Sequence, residues 1–202
     1  MTLPSPTPVC TFVVSAFNRP VELKLCLLSL VCQSRVDWSA IVTDNAMDST
    51  YRDLNRDAVE WVGDSRIQYT YTGDQAKNCY ISANIGAQEA EGEWLAFPSD
   101  DGYVCPWYLE RMLRRAADLD LVYCDIVLGS AQSHRVLSQQ PRCCEIDKTG
   151  FSVRREWFNR VGGFVIENVD GGASAADGQF IERVVAAGAR HGKVDEVLVV
   201  HN

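Results

Sequence analysis

Short apolar runs alternate with amphipathic stretches along this chain, and each run ends in polar residues. Thr11-Phe12-Val13-Val14-Ser15 gives way to Phe17-Asn18-Arg19-Pro20, and Pro20 opens a helical pattern with Leu23, Leu27, Leu30 and Val31 on one face. Ala40-Ile41-Val42-Thr43 ends at Asp44-Asn45, and Ile67-Gln68-Tyr69-Thr70-Tyr71 ends at Gly73-Asp74. A helical pattern from Ile81 to Ala90 precedes Glu93-Trp94-Leu95-Ala96-Phe97, which runs into Ser99-Asp100-Asp101. A further helix, Pro106 to Leu119, leads to Leu121-Val122-Tyr123-Cys124. Apolar runs this short, bounded by Gly and Pro, read as buried strands. Their alternation with helices predicts an α/β chain with a mostly parallel central sheet flanked by helices. Open sheets of that kind bind ligands at the carboxyl ends of their strands. Asn18, Asp44, Asp74, Asp101 and Asp125 all fall at such ends, so they predict a shared crevice.

Two neighbouring carboxylates, Asp100 and Asp101, repel each other when partly enclosed. Their placement reads either as a solvated Asp-Asp-Gly turn or as a site for a divalent cation that bridges to phosphates. The 202 residues suit one well-buried domain. Acidic residues outnumber basic ones 27 to 19, and the net charge of −8 argues against nucleic acid and anionic membrane as partners. None of the 8 cysteines forms a Cys-x-x-Cys pair, so zinc-type ligand spacing is absent. Several, such as Cys26, lie in apolar runs and read as reduced core thiols of a cytoplasmic protein, with Cys143-Cys144 the one candidate for redox chemistry. Met1 to Pro8 lacks the regions of a signal peptide, and no apolar run approaches the roughly 20 residues of a membrane span.

Beyond Asp125 the pattern changes. Ser130 to Gln140 is polar and loop-like, Arg154 to Val161 reads as a short helix ending at Gly162-Gly163, and Gly171 to Ala176 reads as a lid or hinge. Asp177 stands at the mouth of a helix through Phe180, Ile181, Val184 and Val185, where an acidic residue commonly serves as a cap. Val197-Leu198-Val199-Val200 is strand-like and leads to His201, a position prone to fraying. His134 and His191 read as surface residues, Arg154 and Arg155 as solvated charges, and Trp107, Trp157 and Phe164 as core or sugar-stacking aromatics.

In this order the pieces resemble the family 2 glycosyltransferases of the GT-A fold, from about Thr11 to His201. Val13 to Pro20 resembles the opening strand and turn of that family, and Ile41 to Ser49 its second strand with the Asp that reads the nucleotide base. Ala83-Asn84-Ile85-Gly86 and Ala90 to Phe97 resemble the approach to the metal motif. Ser99-Asp100-Asp101 stands where the family has Asp-x-Asp, with Pro98 in place of the first Asp. Arg154 to Phe164 resembles the acceptor-side helix, and Asp177, preceded here by Ala176, matches the catalytic base.

The resemblance implies a single domain over 1–202, with a nucleotide-sugar-binding part over about 9–125 and an acceptor part over about 126–202. It implies an inverting, metal-assisted transfer from a nucleotide-diphospho-sugar, a UDP-sugar first, to a hydroxyl acceptor such as a sugar or glycan. Asp177 would be the general base. Asp101 would hold Mn2+ or Mg2+, with Asp100 on the ribose or a metal-bound water and His201 completing the metal shell. Ser15, Ala16, Phe17, Asn18, Asp44, Asp74, Lys77, Asn84, Ser99 and Asp100 would bind the nucleotide, Asp44 accepting from the N–H of the base. A noncatalytic nucleotide-sugar or glycan-binding module and a nucleotidyltransferase are the alternatives. The latter is disfavoured by the lack of a Gly-rich, basic phosphate loop after the first strand.

Overall fold

The computed structural model describes residues 7–73, 78–130, 133–166 and 175–202. Among them nine strands form one sheet in the order β3-β2-β1-β4-β8-β6-β9-β5, with β7 added to β6. The parallel half consists of β1 (Cys10–Ala16), β2 (Trp38–Asp44), β3 (Ile67–Tyr71) and β4 (Trp94–Ala96), the expected apolar runs. The other half is mixed. Here β5 (Gly102–Val104), β7 (Ser133–Leu137) and β8 (Phe151–Arg154) pair antiparallel, while β6 (Leu121–Ser130) and β9 (His191–His201) lie parallel.

Helices cover both faces of the sheet, which is why its central strands are apolar throughout. Alternate residues of β1 serve opposite sides. Phe12, Val14 and Ala16 pack with Leu23, Leu27 and Leu30 of α1 (Pro20–Val31). Val13 faces Tyr80, Ala83 and Ala87 of α3 (Cys79–Glu89). Between them in sequence comes α2 (Ser49–Val62), which packs on the α1 side and which the apolar pattern did not announce. Its start is marked by Asp48, which accepts a bond from the Tyr51 N–H at 3.1 Å, and its end by Gly63 at φ +66°. α4 (Tyr108–Arg115) joins the α1 side.

On the other face, α5 (Arg155–Arg160) and α6 (Ala176–Ala186) are held by a cluster of phenylalanines. Phe180 lies 5.8 Å from Phe151, 5.2 Å from Phe158 and 4.9 Å from Phe164, measured between ring centres. Burying one such ring contributes about 1.5–3 kcal/mol. Phe180 is one turn beyond Asp177, so the cluster fixes the first turn of α6 against the sheet.

Three expectations are corrected. Ser130 to Gln140 is not a loop throughout, because β7 folds back on β6. Asp125 is not at a strand's end: β6 runs on past it, and its carboxylate pairs with Lys193 at 2.7 Å, away from the crevice. His201 is not frayed; it closes β9, opposite Gly102 on one side and Leu128 on the other.

Candidate active site

Register brings the carboxyl ends of the parallel strands together. Ala16 lies opposite Asp44, and Ser15 bridges to Ser99, so the turns after β1, β2 and β4 form one wall. Asp100 is buried and accepts from the Phe17 N–H at 2.8 Å, while the Arg19 guanidinium reaches it at 3.3 Å. Burial raises the Asp100 pKa, with the Asp101 charge adding to the effect and the Phe17 N–H and Arg19 opposing it. The same Arg19 nitrogen donates to Asp101 Oδ2 at 2.7 Å. This guanidinium, at the N-terminal boundary of α1, thus bridges both carboxylates. Asn18 sits at φ +51° and accepts from the Met47 N–H, tying the first turn to the second.

The antiparallel pairing of β5 with β9 sets His201 beside Asp101. His201 Nε2 lies 3.6 Å from Asp101 Oδ1, and that oxygen is buried with no hydrogen-bond partner. On its other side the ring meets Asp147 Oδ2 at 3.1 Å through Nδ1. Asp147 Oδ1 is held by the Thr149 N–H and hydroxyl. Burial works against the Asp147 charge, but His201 and Thr149 outweigh it and hold the carboxyl down at about 2. Burial likewise opposes the imidazolium, yet Asp147 and then Asp101 leave its pKa raised.

Asp177 continues this line of contacts. Its Oδ2 accepts from the Lys148 N–H at 3.0 Å and its Oδ1 from the Gly178 N–H at 2.9 Å. It is therefore not the cap of α6; Ala175 holds that position, and Asp177 accepts from the first-turn Gly178 N–H and from the neighbouring 3-10 turn instead. Its pKa is raised, first by burial and then by the Asp147 charge. Tyr80 on α3 is pushed up by burial and by the same Asp177. Contacts thus run without a break from Asp101 through His201 and Asp147 to Lys148 and Asp177.

Several residues expected in the nucleotide pocket have other work. Asp44 is 0% exposed, and its carboxylate turns inward to the Ala46 N–H, the Asn55 amide and the Tyr69 hydroxyl, the last at 2.7 Å. A base could reach it only by displacing these donors. Asn84 donates to the Phe164 carbonyl and accepts from its N–H, so it pins α3 to the segment after α5. Ser15 bonds the Cys79 carbonyl, Ala16 is buried, and Ser99 accepts from the Gly102 N–H. Phe17 is exposed and free to pack on a ligand. Asp74, Lys77 and Gly171 to Ser174 lie outside the described residues.

Surface readings hold for His134 and His191, and Phe164 is core. Arg154 is no free solvated charge: it pairs with Glu93 and stacks on Trp94. The cysteines are unpaired, Cys143 and Cys144 standing 3.6 Å apart. Sequence patterning missed Asp147 and Lys148, whose partners are 29 to 54 residues distant. An apolar cleft of about 280 Å³ opens beside Asp101, lined by Leu25, Leu28, Tyr103 and Val200.

Asp101 Oδ1 and His201 Nε2, 3.6 Å apart, are the two donor atoms here that could hold a divalent ion. Asp147 would hold the imidazole in the tautomer that leaves Nε2 free. Among the described residues no group of three or more His, Cys, Asp or Glu is arranged around one point as a closed cage. Two such ligands would leave most of an ion's shell to water and phosphate oxygens.

Comparison with known proteins bears on the same crevice. The model of glycosyl transferase family 2 matches residues 11–168. A curated Bacillus subtilis (strain 168) protein, EpsH, named as a glycosyltransferase, is 28% identical over 120 residues, which are 59% of this chain and 34% of EpsH. Among solved structures, S. aureus TarS 1-349 with UDP-GlcNAc superposes with a TM-score of 0.73 at 16% identity, over 95% of this chain and 57% of TarS 1-349. The mannosyltransferase PcManGT of Pyrobaculum calidifontis, with GDP-Man and Mn2+, gives 0.74 at 17% identity, over 98% and 58% of the two chains. The chain thus spans about a third of EpsH and under two thirds of the two structures, and it shares their fold. It belongs to glycosyl transferase family 2.

Proposed function

We propose, from that membership and this crevice, that the chain is an inverting glycosyltransferase. It moves a sugar from a nucleoside-diphosphate sugar to a hydroxyl acceptor. The observation that carries the reading is the unbroken string of contacts from the metal-ready oxygen of Asp101 to the buried carboxylate of Asp177. Residues of about 9–125 form the donor wall and those of about 126–202 supply the base. A uridine donor is supported by the likeness to TarS, whose structure holds UDP-GlcNAc. Family membership favours glycosyl over nucleotidyl transfer, and the unpaired thiols favour a cytoplasmic setting.

Asp101 and His201 would hold Mn2+ or Mg2+, which supplies charge against the growing negative charge of the departing diphosphate. The chain's own residues do the rest. Asp100, fixed by the Phe17 N–H and Arg19, presents the turn after β1 to the ribose. Phe17 offers a ring face to the base. An acceptor hydroxyl has a pKa far above 7 and must lose its proton as it attacks. Asp177 takes that proton, and its raised pKa makes it a stronger base than a solvated carboxylate. Attack from the side opposite the leaving group inverts the anomeric centre.

The test is release of nucleoside diphosphate from a panel of UDP- and GDP-sugars with Mn2+ and a library of sugar acceptors. Release that depends on acceptor, with product of inverted configuration, is expected. Tight donor binding with no acceptor-dependent release would overturn the catalytic reading in favour of a binding module.

A further inference from the structure

Lys148 is 7% exposed, an unusual burial for a lysine. Its backbone is fixed at the start of a short 3-10 turn. The Lys148 N–H is bonded to Asp177, and Asp147 just before it holds His201 and Thr149. The side chain therefore leaves the chain between the base and the metal-ready pair. Among the described residues, no hydrogen bond or ion pair reaches its ammonium. It lies near enough for its charge to bear on Asp100 after β4, Cys79 at the start of α3, Cys26 within α1 and His201 at the end of β9.

A buried cation ordinarily neutralises a carboxylate. Here each candidate already has its own donors. Asp100 takes the Phe17 N–H and Arg19, Asp101 takes Arg19, Asp147 takes His201 and Thr149, and Asp177 takes two backbone N–H groups. The stem of Lys148 is buried while its ammonium, not among the sealed polar atoms without a partner, keeps access to the crevice, so it is placed to meet an anion that arrives from outside. Lysine suits phosphate as a compact point charge.

We propose that Lys148 is a fixed cationic contact for the diphosphate of the donor, built into the floor of the crevice alongside the divalent ion. This rests on the reading of the chain as a user of nucleoside-diphosphate sugars, and names a binding residue within it. The diphosphate would lie between the metal-ready pair and the ammonium, with its leaving oxygen gripped from two sides.

Calorimetry with UDP and with uridine, both in Mn2+, compares the unmutated protein with Lys148→Met and Lys148→Gln. Affinity for UDP is expected to fall by about 10-fold or more in both variants, the loss of one charge-assisted bond, while affinity for uridine stays the same. A charge-keeping Lys148→Arg should recover part of the UDP affinity. Equal UDP affinity in the Met and unmutated proteins would overturn the assignment alone. Loss of fold in both the Met and Gln variants, seen by circular dichroism, would overturn it by making Lys148 a structural counter-charge. No binding of UDP or GDP by the unmutated protein would overturn the donor reading and this assignment with it.

Discussion

Two carboxylates of the crevice are pushed in opposite directions, and each yields a test. For Asp177 the folded pKa is raised, so its ionised form costs stability. That cost is absent below the unfolded carboxyl pKa near 3.9, grows as pH rises to the folded value, and is constant above it. Asp177→Asn removes the charge but turns an amide N–H toward one of two backbone donors, a loss of about 1 kcal/mol. The melting temperature of the variant minus that of the unmutated protein should therefore increase from pH 3.5 to 7. Sugar transfer at pH 7 should fall by about 10²-fold or more with nucleotide affinity unchanged; near-equal turnover would remove Asp177 from the mechanism. For Asp147 the folded pKa is lowered to about 2. Its ionised form therefore contributes stability that is present above about pH 4 and lost as pH falls toward 2, on the order of 2 kcal/mol. His201 adds the opposite limit, because its raised pKa makes the imidazolium's share complete below about 6.5 and lost above its folded value. Asp147→Asn should flatten the acid limb of the stability curve between pH 4 and 2. An acid limb identical to that of the unmutated protein would show that the His201 contact is not formed.

At the scale of elements, the close approach of α3 to the sheet rests on Gly86. A Cβ there would lie 2.6 Å from Val13 Cγ1 and 2.8 Å from Thr43 Cγ2, both on stiff β-branched side chains of buried strands. Alanine gains about 1 kcal/mol of helix propensity but overpacks the contact at about 1–3 kcal/mol. Gly86→Ala should lower the melting temperature by a few degrees, and an equal or higher value would show that α3 can lift without cost. How far such elements were legible in the sequence depends on how local their cause is. Runs such as Phe12-Val13-Val14 and the Pro20 helix start declare themselves within a few residues. The helix α2 did not, because its buried face holds only Asn55, Ala58 and Val59. The strands β5, β7 and β8 are short or polar and exist through partners far along the chain. Site residues divide in the same way. Asp101 and Asp177 stand out at element ends, whereas the inward turn of Asp44 depends on Asn55 and Tyr69, and the roles of Asp147 and Lys148 on His201 and α6. No periodicity within a window reports a contact made across the fold.

For the molecule as a whole, the crevice is closed by its last strand. Parallel strands supply Asp100 and Asp101, but the second metal-ready atom arrives only when β9 pairs with β5 and β6 and places His201 at Asp101. Metal binding therefore reports on the joining of the two halves of the sheet. Two protein donors, with Arg19 already leaning on Asp101, should hold a bare ion weakly, and a diphosphate that supplies further oxygens should tighten it. Mn2+ and UDP should then bind with positive coupling: each shifts the other's affinity by the same factor. In thermal melts, UDP with Mn2+, at about 100 times the apparent Kd, should stabilise by about 2.7 kcal/mol, or roughly 5–10 °C for a chain of this size. UDP alone or Mn2+ alone should give much less. Asp101→Ala and His201→Ala should each remove most of the coupled shift, whereas Asp177→Ala, outside the proposed metal pair, should keep it. An equal shift by UDP with and without Mn2+ would refute the metal's part, and full coupling in His201→Ala would place the second ligand elsewhere than at the end of β9.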